Sequence, residues 1–168
     1  VFALLKRIVN FGVSRQLCKN LTFKIETIKV DNQKTEDLNT EQLKNLLTAI
    51  DNSTDIEAAN IMRLALYTGM RRGEMFKLKW NDIDFQRGFI SIKNPKGGVS
   101  QKIPLNEQAR QVLESHPKTQ INKDKDNPKY SEYVFVKGDN LPFKDIKERV
   151  NKIKQAAGLP ADFRPLHG

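Results

Sequence analysis

With 168 residues, 38% of them hydrophobic and 29% charged, the chain is long enough to bury a core and too apolar to be disordered. Its 29 Lys and Arg against 20 Asp and Glu give a net charge of +9, which favours a polyanionic partner, most often nucleic acid. The single cysteine, Cys18, excludes an internal disulfide and fits a reducing compartment; with only two histidines beside it the usual Cys/His zinc site is excluded, and no apolar run reaches the length of a membrane span.

In chain order, residues 2–17 read as a helix, because Leu4, Leu5, Ile8, Val9 and Val13 recur near a 3.6-residue period among Lys6, Arg7 and Arg15. Its apolar face needs a partner, either from the body that follows or from outside this chain. Residues 19–37 lose the pattern and read as an extended basic linker, whether a strap around a rod-like ligand or a plain crossing loop. A domain begins at Leu38. Asn39 or Thr40 caps a helix with the stripe Leu43, Leu46, Leu47 and Ile50. After a turn at 51–55, residues 56–67 form a second helix, apolar on most sides (Ile56, Ala59, Met62, Ala65, Leu66) and so central to the core.

Gly69 can supply a left-handed cap, and a short helix restarts over 71–78, with Trp80 packed beside its end. Residues 88–93 (GFISIK) alternate as a strand does and can pair back with 101–105 (QKIPL) across the turn formers Asn94-Pro95-Lys96-Gly97-Gly98. Asn106 caps a helix through Leu113, ended by His116-Pro117. Residues 118–131 are a solvated loop, Tyr133-Val134-Phe135-Val136 a short strand, and 143–157 an amphipathic helix closed by Gly158. The expected class is α+β, mainly helical, with a small antiparallel sheet on one side.

The stretch 65–84 (ALYTGMRRGEMFKLKWNDID) concentrates the chemistry. On the restarted helix Arg71 falls on one face with Glu74, Met75 and Leu78, while Arg72 lines up with Lys79 on another. An inward guanidinium needs an anionic partner, and Glu74 can supply it. Two readings stand side by side: an ordinary i,i+3 salt bridge, or an arginine held so that its free N–H groups meet a phosphate.

Thr68-Gly69-Met70-Arg71-Arg72-Gly73-Glu74, with Leu78-Lys79-Trp80 and Asp82-Ile83-Asp84, resembles the first signature box of the tyrosine recombinases, the phage-integrase family. The Lys96 hairpin closing on Ile103-Pro104-Leu105 resembles that family's lysine-bearing β-turn. Residues 163–168 (FRPLHG) are similar to the approach to its second box, His-x-x-Arg, and 1–18 to the end of its DNA-clamping N-terminal domain. The resemblance implies a linker at 19–37 and a catalytic domain at 38–168, truncated at its C-terminal side.

It also implies a metal-free phosphoryl-transfer site without a cofactor, acting on double-stranded DNA in the cytoplasm, at the nucleoid. Arg71 matches the first catalytic arginine, which neutralises the non-bridging phosphate oxygens, and Glu74 an acidic position that orients it. Lys96 matches the lysine that protonates the departing 5′ oxygen, and His167 a phosphate donor and acid/base. Arg72, Lys93 and Lys102 are candidate DNA contacts. In such enzymes a tyrosine attacks the phosphate, giving a 3′-phosphotyrosyl ester that stores the bond energy, and the full-length protein works as a tetramer on DNA.

The departures matter equally. The arginine due three residues after His167, the later histidine or tryptophan box and the nucleophilic tyrosine are absent from these residues; Tyr67, Tyr130 and Tyr133 do not fit as nucleophiles. The expectation is a fragment that cannot cleave DNA by itself and leaves some apolar surface exposed. A different class, a non-enzymatic basic DNA-binding or architectural protein, stays open. An RNA-binding module is disfavoured, because no exposed stacking pattern of aromatics is evident.

Overall fold

A computed structural model describes residues 2–23, 37–93, 98–138 and 140–166. It divides the chain into two compact units, 1–35 and 36–168. The first contains helix α1 (Phe2–Ser14), shorter than the 2–17 expected because Gln16 adopts a left-handed backbone and Leu17 N–H turns back to the Gly12 carbonyl. Leu4, Leu5, Ile8 and Phe11 on this helix are exposed.

The second unit is built from helices α2 (Thr40–Asp51), α3 (Ile56–Thr68), α4 (Arg72–Phe76), α5 (Glu107–Ser115) and α6 (Lys147–Ala156), with two small sheets. Asn39 caps α2 by a reciprocal pair of bonds with Gln42, and Asp55 caps α3 by accepting from Ala58 N–H. Helix α3 is central as expected: Ala58, Ala59, Ile61, Met62 and Leu64 are all buried. Two of the residues assigned to its apolar surround, Ile56 and Leu66, are exposed instead, so its burial is one broad face and not a full circumference. Helices α2, α5 and α6 pack around it.

Strands β1 (Ile83–Asp84), β2 (Phe89–Ile92) and β3 (Gln101–Pro104) form an antiparallel sheet in that order. The hairpin inferred from alternation is present, with Ile90 opposite Ile103 and Ser91 opposite Lys102. β1 was not foreseen, because two residues carry no period.

Residues 133–136 are not one strand. Only Val136–Lys137 (β4) is strand, paired with Leu141–Pro142 (β5), while Tyr133 and Val134 lie along Leu78–Trp80: Trp80 N–H donates to the Glu132 carbonyl and Val134 N–H to that of Leu78. Helix α6 starts four residues later than expected. The Asp145 carboxylate accepts from the N–H groups of Ile146 and Lys147 and holds that turn outside the helix, although Phe143 and Ile146 are buried as the amphipathic pattern requires. The loop after Pro117 is more ordered than a solvated run suggests, since Asn122 and Asp124 accept from backbone N–H groups of Lys129, Asp126 and Asn127 and a bridge joins Gln120 to Tyr130.

Candidate functional site

Gly69 ends α3 in the left-handed conformation, at φ 66°, and its N–H closes on the Ala65 carbonyl. The reversal drives Met70 into the core and leaves Arg71 extended at the N-cap of α4, at φ −70° and ψ 148°. Arg71 is therefore not a helical residue, and the helical face proposed for it does not exist. Its contact with Glu74 has another origin. Glu74 stands at the third position of α4, where one oxygen accepts the Arg71 backbone N–H at 3.0 Å and the other accepts Nη1 at 3.2 Å. The Glu74 side chain is 10% exposed and that of Arg71 57%, so the carboxylate is the inward partner and the guanidinium the outward one.

Arg71 opens onto a cleft of about 710 Å³ together with Lys77, Lys79, Lys93, Ser91 and Tyr133, over Glu74 and Asp82. Each of three cations has its own carboxylate. Beside the Arg71–Glu74 pair, Lys79 Nζ meets Glu132 at 3.0 Å, and Lys93 Nζ pairs with buried Asp82, which also accepts the Lys79 backbone N–H at 3.2 Å. Glu132 holds the Lys79 ammonium above its ordinary pKa, and the Tyr133 ring lies 5.0 Å from that ammonium. A cleft with four cations, among them a guanidinium bonded to a carboxylate, suits a phosphodiester: the fork can bind two oxygens while the amines neutralise neighbouring charge.

Arg72 points elsewhere. It borders a second groove of about 550 Å³ with Lys147, Lys154, Arg164 and Leu166, and its Nη1 is 3.9 Å from Asp145. The alignment of Arg72 with Lys79 on one face is thus corrected: Lys79 shares the cleft with Arg71, because α4 ends at Phe76 and helical spacing does not extend to residue 79. Lys102 is exposed and, being opposite Ser91, lies on the same face of the sheet as that cleft residue. Lys96 and His167 lie outside the described residues. Lys93, three residues before Lys96, borders the Arg71 cleft; Leu166, next to His167, borders the Arg72 groove. Sequence reasoning missed Lys77, Lys79 and Tyr133 as cleft residues. For Lys79 a signal existed, since it falls inside the first box.

His116 is more than a helix-end residue. It is buried, its Nδ1 is 2.9 Å from Asn60 Nδ2 and its Nε2 is 3.1 Å from the Val134 carbonyl. A ring with Nε2 protonated satisfies both contacts, accepting from the amide and donating to the carbonyl. Asn60 Oδ1 in turn accepts from Arg63 Nη1, and Arg63 reaches Asp51 at 2.7 Å. Burial lowers the His116 pKa, so the neutral ring is the favoured form.

The phage integrase family model matches residues 36–167, and the chain belongs to that family. It is 28% identical over 142 residues to the tyrosine recombinase XerA of Pyrococcus horikoshii, covering 81% of this chain and 46% of the relative. Among solved structures, the Tn1549 transposon integrase in complex with circular intermediate DNA superposes with a TM-score of 0.68 at 19% identity, covering 96% of this chain and 59% of that one. A lambda integrase tetramer bound to a Holliday junction gives 0.67 at 17% identity, covering 96% and 46%. The fold is therefore the mixed helical one, with small antiparallel sheets, of tyrosine-recombinase catalytic domains. The chain spans about half the length of the curated relative it matches. Among the described residues no helix is long and apolar enough to cross a membrane.

Proposed function

We propose that the chain is the larger part of the catalytic domain of a site-specific DNA recombinase or integrase, and that the Arg71 cleft receives the scissile phosphate. The observation that carries this reading is the double hold of the Glu74 carboxylate, largely covered, on exposed Arg71, in a cleft with three further cations. A guanidinium oriented by a carboxylate before the substrate arrives needs less reorganisation when charge develops on the phosphoryl oxygens.

In the complete protein a tyrosine supplied from outside these 168 residues attacks phosphorus. The bond to the 5′ oxygen breaks and a 3′-phosphotyrosyl ester forms, while Lys96 gives the leaving oxygen its proton. His167 donates to a non-bridging oxygen, and Glu74 orients Arg71 without carrying a proton. Arg72, Lys93 and Lys102 contact the DNA backbone. No cofactor enters this scheme, because the ester conserves the energy of the broken bond.

Residues 1–18 would be the end of the DNA-clamping domain, 19–37 the connection and 38–168 the catalytic domain; the family match beginning at residue 36 supports that boundary. Self-assembly of the full-length protein on double-stranded DNA has a precedent in the lambda integrase tetramer bound to a Holliday junction, and a protein acting on DNA in this way would work in the cytoplasm, at the nucleoid.

The test is strand cleavage on a nicked duplex by the longer protein containing this chain. Arg71→Ala is expected to abolish the covalent protein–DNA adduct while leaving most duplex affinity. Loss of binding by Arg71→Ala, with a parent that never forms the adduct, would replace this reading by that of a basic architectural protein.

A further inference from the structure

Two short stretches of the cleft wall are built alike. Glu74 and Asp82 each take the third position of a helical turn, α4 in one case and the 3-10 turn Trp80–Asp82 in the other. Each uses one carboxylate oxygen to accept the backbone N–H three residues back, that of Arg71 at 3.0 Å and that of Lys79 at 3.2 Å. Each turns its other oxygen to a cation that borders the cleft, Arg71 itself for Glu74 and Lys93 for Asp82. The exposures match as well: the carboxylate side chains are 10% and 6% exposed, the cationic ones 57% and 65%.

Capping the turn does not require a carboxylate at residue 82. The oxygen of an asparagine or serine would accept the Lys79 N–H and would be cheaper to bury. What a neutral residue would not supply is the charge that meets Lys93. Among the described residues, Asp82 Oδ1 has no donor besides that ammonium. A covered carboxylate without its cation is costly, so the ammonium is held there in turn. A lysine stem gives up rotamer freedom when a ligand fixes it, and the ion pair takes part of that ordering beforehand. One N–H of the ammonium meets Asp82 and two remain for a ligand.

We propose that Asp82 is a positioning residue: its buried carboxylate holds the Lys93 ammonium in the Arg71 cleft, where that ammonium donates to a phosphate of the DNA strand being cut. The inference rests on reading the chain as a recombinase catalytic domain. Asp82 touches no DNA; it acts through Lys93, as Glu74 acts through Arg71. It supplies placement and not added charge, since the pair as a whole is neutral.

The test uses the longer protein containing this chain. Asp82→Asn keeps an acceptor for the Lys79 N–H and removes the ion pair. The rate of adduct formation on a nicked duplex, at saturating DNA, should fall by about tenfold. Duplex affinity by fluorescence anisotropy should stay within about threefold or tighten, because the variant has lost a negative charge. Lys93→Met should lower the rate by a similar factor, and the double variant should lose no more than the weaker of the two singles. A capping role alone would not give that pattern. If Asp82→Asn does not fold, Asp82→Ser, which also keeps an acceptor oxygen, is read the same way. A parent-like rate in either single variant, or losses that multiply in the double one, overturns the proposal. A parent that forms no adduct would defeat the recombinase reading instead. The Lys93 ammonium signal in an NMR spectrum of the 168-residue chain, identified by its loss in Lys93→Arg, then decides. A signal that shifts with a short duplex in the wild type and not in Asp82→Asn upholds the tether; equal behaviour in both, shifted or not, overturns it.

Discussion

Arg149 on α6 reaches across 94 residues of sequence to grip Asp55, the N-cap of α3: Nε lies 2.6 Å from one carboxylate oxygen and Nη2 bonds the other. The same carboxylate accepts from Ala58 N–H, and Nη1 lies 3.6 Å from Glu57. One side chain thus ties the start of the central helix to the helix that carries Lys154. The Arg149 guanidinium is the main cause of an Asp55 pKa below the ordinary value.

Truncating this tie should be visible in the melt. Arg149→Ala removes a bidentate, partly exposed charge-assisted contact and should cost about 1–2 kcal/mol, read as a lower midpoint in denaturant at unchanged slope. Because the Asp55 pKa is depressed, its contribution is present above the unfolded carboxylate value and is lost as pH falls through the folded one. The gap between wild type and variant should therefore narrow below about pH 4. An equal gap at pH 3 and pH 7 would show that the pair is not what the mutation removed.

His116 predicts a second acid sensitivity, at higher pH. Its folded pKa is lowered by burial, so the unfolded chain takes up the proton first, and stability falls as pH drops below about 6.5. Glu57, raised by burial, works in the opposite sense, because its folded form holds a proton more readily than the unfolded one. Comparing His116→Gln with wild type separates the two. The variant should lose stability at pH 7.5, since the Asn60 and Val134 contacts are broken, and lose less on acidification to pH 5.5.

Glu74 should matter for chemistry more than for binding. In the longer protein, Glu74→Gln keeps a carbonyl acceptor for the Arg71 N–H but loosens the guanidinium. Cleavage should fall by about tenfold to a hundredfold, as expected for an angstrom-scale misplacement of a catalytic group. Arg71→Ala should cost at least about a hundredfold. Duplex affinity measured by anisotropy should change little in either. A large loss of affinity in Glu74→Gln would show that it shapes the binding surface as a whole.

The cleft cations should differ in their salt signatures. Lys77→Ala should reduce the slope of log affinity against log salt by about one unit, the value for one phosphate contact. Lys93→Ala should reduce it less, because the Lys93 ammonium is already paired with Asp82. Glu132→Gln frees Lys79 and should strengthen binding, mostly at low salt. Equal slopes across the three variants would place the DNA on another face.

The amino-acid pattern alone determined what depends on near neighbours. The capped start of α2, the left-handed stop at Gly69, the β2–β3 hairpin and the Arg71–Glu74 contact are each contained within a few residues, where spacing and backbone preference act directly. Tertiary structure decided whatever depends on residues far apart. Tyr133 lies beside Lys79 and not in a four-residue strand because Trp80 N–H bonds the Glu132 carbonyl and Val134 N–H the Leu78 carbonyl, each across more than fifty positions. His116 becomes a buried node because Asn60 and Val134 converge on it, and Lys154 is buried because the chain folds back to offer two carbonyls. The divergence of Arg71 and Arg72 into different grooves belongs to the same class. Periodicity places neighbouring side chains around one helix axis, but here the axis begins only after the first of the two, and the core that seats Met70 settles which way that arginine faces.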